Sequence, residues 1–279
     1  MKDTSQQDGL WTIGFGELGA TLKALQDWGV KKEHLARLRA DPDYAKRVAK
    51  FMVWNETEKL SGQELARAIL GRNFFGIEEW SFFYGIKFSK KQLRKIPEFP
   101  WSEDVLNAPC PFYKDKKIKE THFAFLGLDT FKGEPLNILK WQELHPPTDQ
   151  PRFYSYAPDN WYAKELFAIT LVHTFRWYLM LLEVIPNSSN KTYPEQITML
   201  PIGYEAPQAI EEVTKSILYY QKNGIFLNPI MYGRCRDITS DGLCVSVGHF
   251  NWEGLGISNC QGGYRDPIIG IAASRKISQ

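Results

Sequence analysis

Four cysteines and five histidines are the residues best suited to covalent or metal chemistry. A cysteine nucleophile needs a nearby base, and a zinc site needs cysteines and histidines at close spacing. The sequence contains no Cys-x-x-Cys pair and no histidine at metal-ligand spacing from a cysteine or another histidine. The residues concerned are Cys110, Cys235, Cys244, Cys260, His34, His122, His145, His173 and His249. We expect reduced thiols, with a disulfide as the alternative, and we expect core positions for His122 and His173.

Sequence signatures of common enzyme classes are absent. There is no G-x-S-x-G, no H-E-x-x-H, no Walker A motif and no G-x-G-x-x-G that opens a helix. The adjacent carboxylates Glu78-Glu79 and Glu211-Glu212 diverge by about 100° on a helix, so we expect solvated faces instead of an acid–base pair. We therefore expect no enzymatic activity, no cofactor and no metal. An enzyme that uses Cys235 or Cys244 is the weakest alternative.

The C-terminal segment 248–268 combines regularly placed apolar residues with side chains of every chemical type. The regular positions alternate as short strands require: Val245, Val247, Leu255, Ile257, Ile269 and Ile271. The others follow no periodicity, and we predict that they lie in loops and form a ligand-binding face. They are His249, Phe250, Asn251, Trp252, Ser258, Asn259, Cys260, Gln261, Tyr264, Arg265, Pro267 and Ile268. Rigid aromatic groups beside adaptable polar groups are typical of a binding surface; spacing alone leaves an ordinary glycine-rich loop pair equally open.

The elements that must position these residues fall into two patterns. The first hundred residues show the three-to-four spacing of amphipathic helices. Four prolines between Pro97 and Pro111 interrupt that pattern, and we place a domain boundary there. Beyond it we predict helices over 192–200 and 206–223, and strands near 122–128, 135–141, 175–185, 232–236, 243–247 and 269–273. The sequence thus predicts an α+β chain with a helical domain over 1–105 and a second domain over 106–279.

The tail resembles the ending of diversity-generating retroelement target proteins, which carry a C-terminal C-type-lectin-like domain. The likeness covers about residues 110–279, and its clearest segments are 241–250, 254–257, 262–266 and 270–276. An upstream stretch, 200–213, is similar to the approach to the second helix of that fold. The resemblance implies that the mixed residues of the tail are one product of diversification. In such proteins an error-prone reverse transcriptase alters mainly asparagine codons, while Trp252 and Gln261 require a different starting codon.

Related activities of the same fold are not expected. The calcium motifs of sugar-binding lectins, Glu-Pro-Asn and Gln-Pro-Asp, do not occur in the sequence, so we expect no calcium site. Formylglycine-generating enzymes need a paired cysteine motif that Cys235, Cys244 and Cys260 do not reproduce. The resemblance therefore implies a binding protein whose partner is a macromolecular surface, most simply a protein.

A second function remains open, and it would use the other half of the chain. Lys87, Lys90, Lys91, Arg94 and Lys95 form a basic cluster that could lie on nucleic-acid phosphates, although a solvated surface explains it as well. The net charge of +2 does not make the whole chain a polyanion binder. The apolar run 167–185 is interrupted by charged residues, so we expect no membrane span. Without a signal peptide at the start we expect a cytoplasmic location, with surface display as an open alternative.

Overall fold

A computed structural model describes residues 14–27, 30–42, 44–46, 48–49, 62–156 and 158–277. The chain divides into two compact units, residues 1–59 and 60–279. The first unit contains helices α1 (Phe15–Asp27) and α2 (Lys32–Ala40), neither of which contributes a buried residue. Leu18 and Leu22, which suggested an apolar face on α1, are exposed.

The second unit mixes helices and strands, which confirms the predicted α+β class. Its helices are α3 (Gly62–Leu70), α4 (Ile77–Tyr84), α5 (Lys90–Leu93), α6 (Glu103–Asn107), α7 (Ile118–Thr121), α8 (Ile138–Leu144), α9 (Leu166–Ile169), α10 (Tyr193–Ile197) and α11 (Ala209–Asn223). Its strands are β1 (Phe74–Phe75), β2 (His122–Leu126), β3 (Thr130–Phe131), β4 (Glu134–Pro135), β5 (Trp177–Leu181), β6 (Tyr204–Glu205), β7 (Tyr232–Ile238), β8 (Cys244–Asn251), β9 (Gly254–Cys260), β10 (Ile269–Ile271) and β11 (Ser274–Arg275).

Two larger sheets and one long helix organise this unit. The first sheet has the strand order β1-β2-β5-β11-β6, and the second has the order β10-β7-β8-β9. Helix α11 contacts strands of both sheets. It is buried over most of its length, polar residues such as Glu212 and Lys215 included, because other elements pack around more than one of its faces. Gly224 ends it in the left-handed conformation at φ 66°.

The division between the two units falls at residues 59 and 60, whereas the sequence placed the boundary near residue 105. Residues 62–107 share the core of the second unit: Ala66, Phe75 and Trp80 belong to the same buried cluster as Phe123. Strand β1 also pairs in parallel with β2. The prolines of 97–111 do not end helical structure, since α6 lies between them, and they do not prevent the aromatic residues of this segment from packing. Phe99 lies against Trp177 with ring centroids 5.3 Å apart, and Trp101 packs on Phe99.

The segment 135–141, predicted to be a strand, begins helix α8. Asn137 caps this helix, since its side chain accepts a hydrogen bond from the Lys140 backbone N–H at 2.8 Å. Ile138 and Trp141, three residues apart, are both buried. The alternation of apolar residues therefore misled the prediction, and the capping asparagine determines the local structure.

The carboxylates expected on solvated faces are mostly buried, which corrects that expectation. Glu79 accepts a hydrogen bond from the Gly76 backbone N–H at 2.8 Å and faces Lys222 at 3.1 Å. Glu212 is fully buried against Lys215. Burial also raises the pKa of Glu211 to about 7, although two arginines oppose the rise. Both pairs lie in the first turns of helices that pack into the core. The position of the helix therefore determines whether these carboxylates are buried, although a carboxylate by itself prefers water.

Among the described residues, no helix is both long and apolar enough to cross a membrane.

Candidate binding face on the four-stranded sheet

The β8–β9 hairpin determines which residues of the candidate site face the core and which face away from it. Ser246 pairs with Ser258, and Val247 pairs with Ile257. Because side chains alternate between the faces of a sheet, the valines and Ile257 point into the core while the serines point away from it. The residues expected as scaffold are buried: Val245, Val247, Leu255, Ile257, Ile269 and Ile271.

Several residues predicted to lie in loops lie in strands instead. His249, Phe250 and Asn251 end β8, and Ser258, Asn259 and Cys260 end β9. The connection is short, because Asn251 pairs with Gly254 across a turn that leaves only Trp252 and Glu253 unpaired. Of the predicted face, the hairpin tip and the segment 261–268 are the parts that form loops.

Phe250 does not belong to an exposed surface, contrary to the prediction. Its side chain is 0% exposed and packs against Phe226 and Tyr220, with ring centroids 4.9 and 5.6 Å away. The cause is a bulge between Gly248 and Asn251, where His249 adopts φ 49°. A bulge adds one residue to a strand and shifts the alternation, which turns Phe250 inward.

Asn259 is also separated from its predicted neighbours. It pairs with Val245 and alternates with Ile257, so it lies on the core-facing side of β9, where it is half-buried. Ser258 and Cys260 point to the opposite face. The predicted set therefore divides between two sides of the sheet.

One residue that the sequence did not suggest, Tyr232 of β7, contacts several of the remaining positions. The ring of His249 stacks on Tyr232 of β7, with centroids 5.5 Å apart and planes inclined by 7°. Tyr232 lies over Gly256, where a Cβ atom would approach its hydroxyl oxygen to 2.7 Å. The Tyr232 backbone N–H donates to the Ile268 carbonyl at 2.8 Å, which brings the 261–268 loop alongside. We define the binding face as Tyr232, His249, Trp252, Ser258, Cys260, Gln261, Tyr264, Pro267 and Ile268.

The exposed side chains of the binding face include large aromatic groups. Trp252 is 72% exposed and Tyr264 is 53% exposed. Gln261 and Pro267 are exposed as well, while Ser258 and Cys260 are half-buried. Two predicted residues lie at the edge of the face: Asn251 donates to the Pro229 carbonyl at 3.4 Å, and Arg265 to Glu195 at 2.7 Å.

Three aromatic residues, Tyr154, Tyr156 and Trp161, bond to the backbone of β9. The Tyr154 backbone N–H donates to the Leu255 carbonyl at 3.0 Å. The Tyr156 hydroxyl and the Trp161 indole N–H both donate to the Ile257 carbonyl, at 2.7 and 3.0 Å. Burial raises the pKa of Tyr156, which keeps it a neutral donor. These residues stand about a hundred positions from β9, and only their aromatic density hinted at a role.

Arg234 of β7 connects the 261–268 loop to the strands. It is 0% exposed, and its guanidinium donates to the Tyr264 carbonyl at 2.7 Å and to the Cys260 sulfur at 3.2 Å. It also donates to the Lys191 carbonyl and to Gln196 Oε1, each at 3.0 Å. Four acceptors from separate segments thus converge on one side chain. The loop position is set by a scaffold residue, independently of the exposed side chains.

Three histidines and Cys235 are buried. His122 and His173 are buried, as expected, and burial lowers the pKa of each to about 3. His145 is also buried, with its pKa lowered to about 4. Burial raises the pKa of Cys235 well above its usual value, so it is a poor nucleophile. Within the described ranges, no three His, Cys, Asp or Glu side chains are grouped to hold a metal ion.

The side chains of this arrangement can pack against other groups and form hydrogen bonds. Aromatic groups stand beside hydroxyl, amide and thiol groups, on a sheet held by buried valines and by Arg234. Comparison with models of protein families, with curated proteins and with solved structures found no match to this chain.

Proposed function

We propose that this chain is a ligand-binding protein, not an enzyme, and that it contacts its ligand through the binding face. The observation that carries the proposal is that exposed residues and buried supporting residues occupy separate positions in the tail. Exposed side chains of unlike chemistry, such as Trp252 and Tyr264, project from the loops that join strands, and the inward residues of those strands and Arg234 form a fixed support. Such a surface can change its ligand without changing its fold.

The same separation supports a place among the target proteins of diversity-generating retroelements, with a C-type-lectin-like domain. The resemblance over about residues 110–279 supports this proposal, and so does a four-stranded sheet in which the C-terminal ends of β8 and β9 carry mixed residues. Diversification requires positions at which any side chain is tolerated. Trp252, Gln261, Tyr264 and Pro267 meet that requirement because they are exposed. The cysteine at position 260 is then one of many residue types that diversification could place there.

The ligand class that fits best is a protein surface. Large, rigid aromatic side chains lose little conformational entropy on binding and dominate the energetics of protein interfaces. Trp252 and Tyr264 provide such anchors, and Ser258 and Gln261 provide adaptable hydrogen-bonding groups.

We also propose a cytoplasmic location.

Display libraries test this proposal. One library randomises Trp252, Gln261, Tyr264, Pro267 and Ile268, and a matched library randomises exposed residues elsewhere, Phe82, Glu103, Lys114, Ile202 and Lys276. We expect both libraries to fold, and only the first to yield binders when panned on immobilised lysozyme as a model protein. Equal yields from the two libraries, or loss of folding in most members of the first, would contradict the proposal.

A second candidate function rests on the basic cluster. Lys87, Lys90, Lys91, Arg94 and Lys95 are all exposed, and no acidic side chain within the described ranges forms a salt bridge with them. This supports contact with nucleic-acid phosphates. Binding to a 20-base-pair DNA duplex, titrated from low to high salt, tests it: a steep salt dependence that weakens when Lys90 and Lys91 become Gln supports it, and absence of binding at low salt rejects it.

A further inference from the structure

Cys244 and Cys260 form a pair of free thiols at the open end of the β8–β9 hairpin. They are direct cross-strand partners, so their side chains point to the same face of the sheet. Opposed residues of an antiparallel pair have Cα atoms about 4.5–5.5 Å apart. Disulfides span Cα separations of about 4.4–6.8 Å. The two sulfur atoms therefore lie within bonding reach after side-chain rotation.

The second observation is the buried cation beside them. Arg234 donates to the Cys260 sulfur at 3.2 Å, while its other acceptors are neutral carbonyl and amide oxygens. Within the part of the chain that the structure describes, no carboxylate forms a salt bridge with Arg234, and its Nε atom has no acceptor. A buried charge without a counter-charge is costly. Negative charge on the Cys260 sulfur would offset that cost.

We propose that Cys260 is a modification site for small-molecule disulfides and that Cys244 is its resolving thiol. The deprotonated Cys260 sulfur attacks one sulfur of R–S–S–R, the S–S bond breaks, and the released thiolate takes up the proton that Cys260 lost. Cys244 then loses its proton and attacks the Cys260 sulfur, which releases the second RS group as a thiolate that accepts this proton. The protein gains a Cys244–Cys260 disulfide and gives up two electrons, and the external disulfide is reduced to two thiols.

The surroundings of the four thiols determine which of them reacts first. Cys260 is half-buried and reachable, whereas Cys244 is 5% exposed and lies beneath Gly262. Burial raises the pKa of Cys244, an effect that Arg234 opposes. Cys260 therefore reacts first and Cys244 follows from inside. Cys110 and Cys235 are buried and serve as reference thiols in the same chain. This chemistry holds whether or not the binding face recognises a protein.

The test is incubation of the full chain with oxidised glutathione near pH 7, followed by peptide mass spectrometry. We expect a transient mixed disulfide at Cys260, then a Cys244–Cys260 cross-link, with Cys110 and Cys235 unmodified. In Cys244→Ser the mixed disulfide should accumulate at Cys260. In Arg234→Gln the first step should slow roughly tenfold, as expected when a thiol loses its cationic neighbour.

Arg236→Gln is the matched control, because it removes the same charge two residues further along β7, where Arg236 contacts Glu205 instead of a thiol. Its rate should equal that of the unaltered chain. The Cys244→Ser result does not depend on whether Arg234→Gln folds. A Cys260 that reacts no faster than Cys110, or a mixed disulfide that persists in the unaltered chain, would overturn the proposal.

Discussion

Phe250 and Trp252 stand two residues apart and have opposite surroundings. Phe250 is enclosed by Phe226 and Tyr220, whereas Trp252 projects from the hairpin tip with 72% of its surface exposed. Two residues apart on a regular strand would share a face, so the difference arises from the bulge and from the turn at Trp252. At the scale of single residues, backbone geometry thus determines which side chains of the tail are exposed, more than residue type does.

Alanine substitutions at these two positions should have unequal effects on stability. Phe250→Ala removes a buried ring, and we expect a loss of about 3–5 kcal/mol in the free energy of unfolding. Trp252→Ala should change it by less than about 0.5 kcal/mol, because the side chain is exposed. Urea unfolding of the two variants measures both values. Similar losses for the two would mean that Trp252 is part of the core.

Substitution of Arg234 should weaken the support of the binding face. Arg234→Met leaves four acceptors without their donor, and we expect a loss of at least about 2 kcal/mol. Arg265→Met is the control, since its contact with Glu195 is exposed and exposed pairs contribute about 0–1 kcal/mol. Hydrogen exchange of the 261–268 amides should rise in Arg234→Met alone. If exchange rises equally in both variants, Arg234 does not have the supporting role described.

At the scale of elements, the two hairpin strands depend on close backbone approach. Gly254 adopts φ 127°, and a Cβ atom there would lie 2.5 Å from the Phe153 carbonyl carbon. This contact allows the 152–154 segment to pair with Leu255 along the edge of β9. The edge strand is thereby covered over part of its length, which protects it from pairing with other chains.

Gly254→Ala should displace that segment. Strain at positive φ and the steric overlap together predict a loss on the order of 3 kcal/mol in the free energy of unfolding. Gly263→Ala, where the added Cβ would meet nothing within 4 Å, should have little effect. Denaturant titration of the pair measures the difference. Equal stability of the two variants would show that the β9 edge does not need this contact.

Sequence patterns predicted those elements whose signals are local. Helix α11, its end at Gly224, and strands β7, β8 and β10 follow from capping residues and apolar alternation. The patterns failed where contacts between distant parts of the chain determine the local structure. The bulge at His249 depends on the backbone pairing of that residue with Met231, and the aromatic segment 154–161 reaches β9 only in the folded chain. Accordingly, the strand positions of the tail were accessible from sequence, while the inward turn of Phe250 was not.

At the scale of the whole molecule, buried titratable groups make stability depend on pH. Burial lowers the pKa of His122 and His173 to about 3 and that of His145 to about 4, from 6.5 in the unfolded chain. Between about pH 4 and 6.5 the unfolded state therefore binds more protons than the folded state, and stability falls as pH decreases. Glu211 acts in the opposite direction. Its raised pKa of about 7 keeps a proton on the folded state above 4.5, so its contribution is lost as pH rises through about 7.

Glu211→Gln should make the pH dependence steeper. Without the opposing carboxyl, the slope of unfolding free energy between about pH 5 and 6.5 should increase by roughly 1.4 kcal/mol per pH unit. Glu103→Gln, at an exposed position, should leave the slope unchanged. Urea titrations at several pH values provide the slopes. Parallel curves for the unaltered chain and Glu211→Gln would show that Glu211 is ionised in the folded state throughout this range.

The central claim is that the tail is a diversified binding face on a fixed scaffold, and sequencing of the genomic locus tests it most directly. We predict a nearby reverse transcriptase gene and a near-copy of the DNA that encodes about residues 248–268. Differences between copy and gene should fall on codons of exposed positions such as Trp252, Gln261 and Tyr264, and should spare those of Val245, Val247 and Arg234. A locus with neither a near-copy nor a reverse transcriptase gene would contradict the claim.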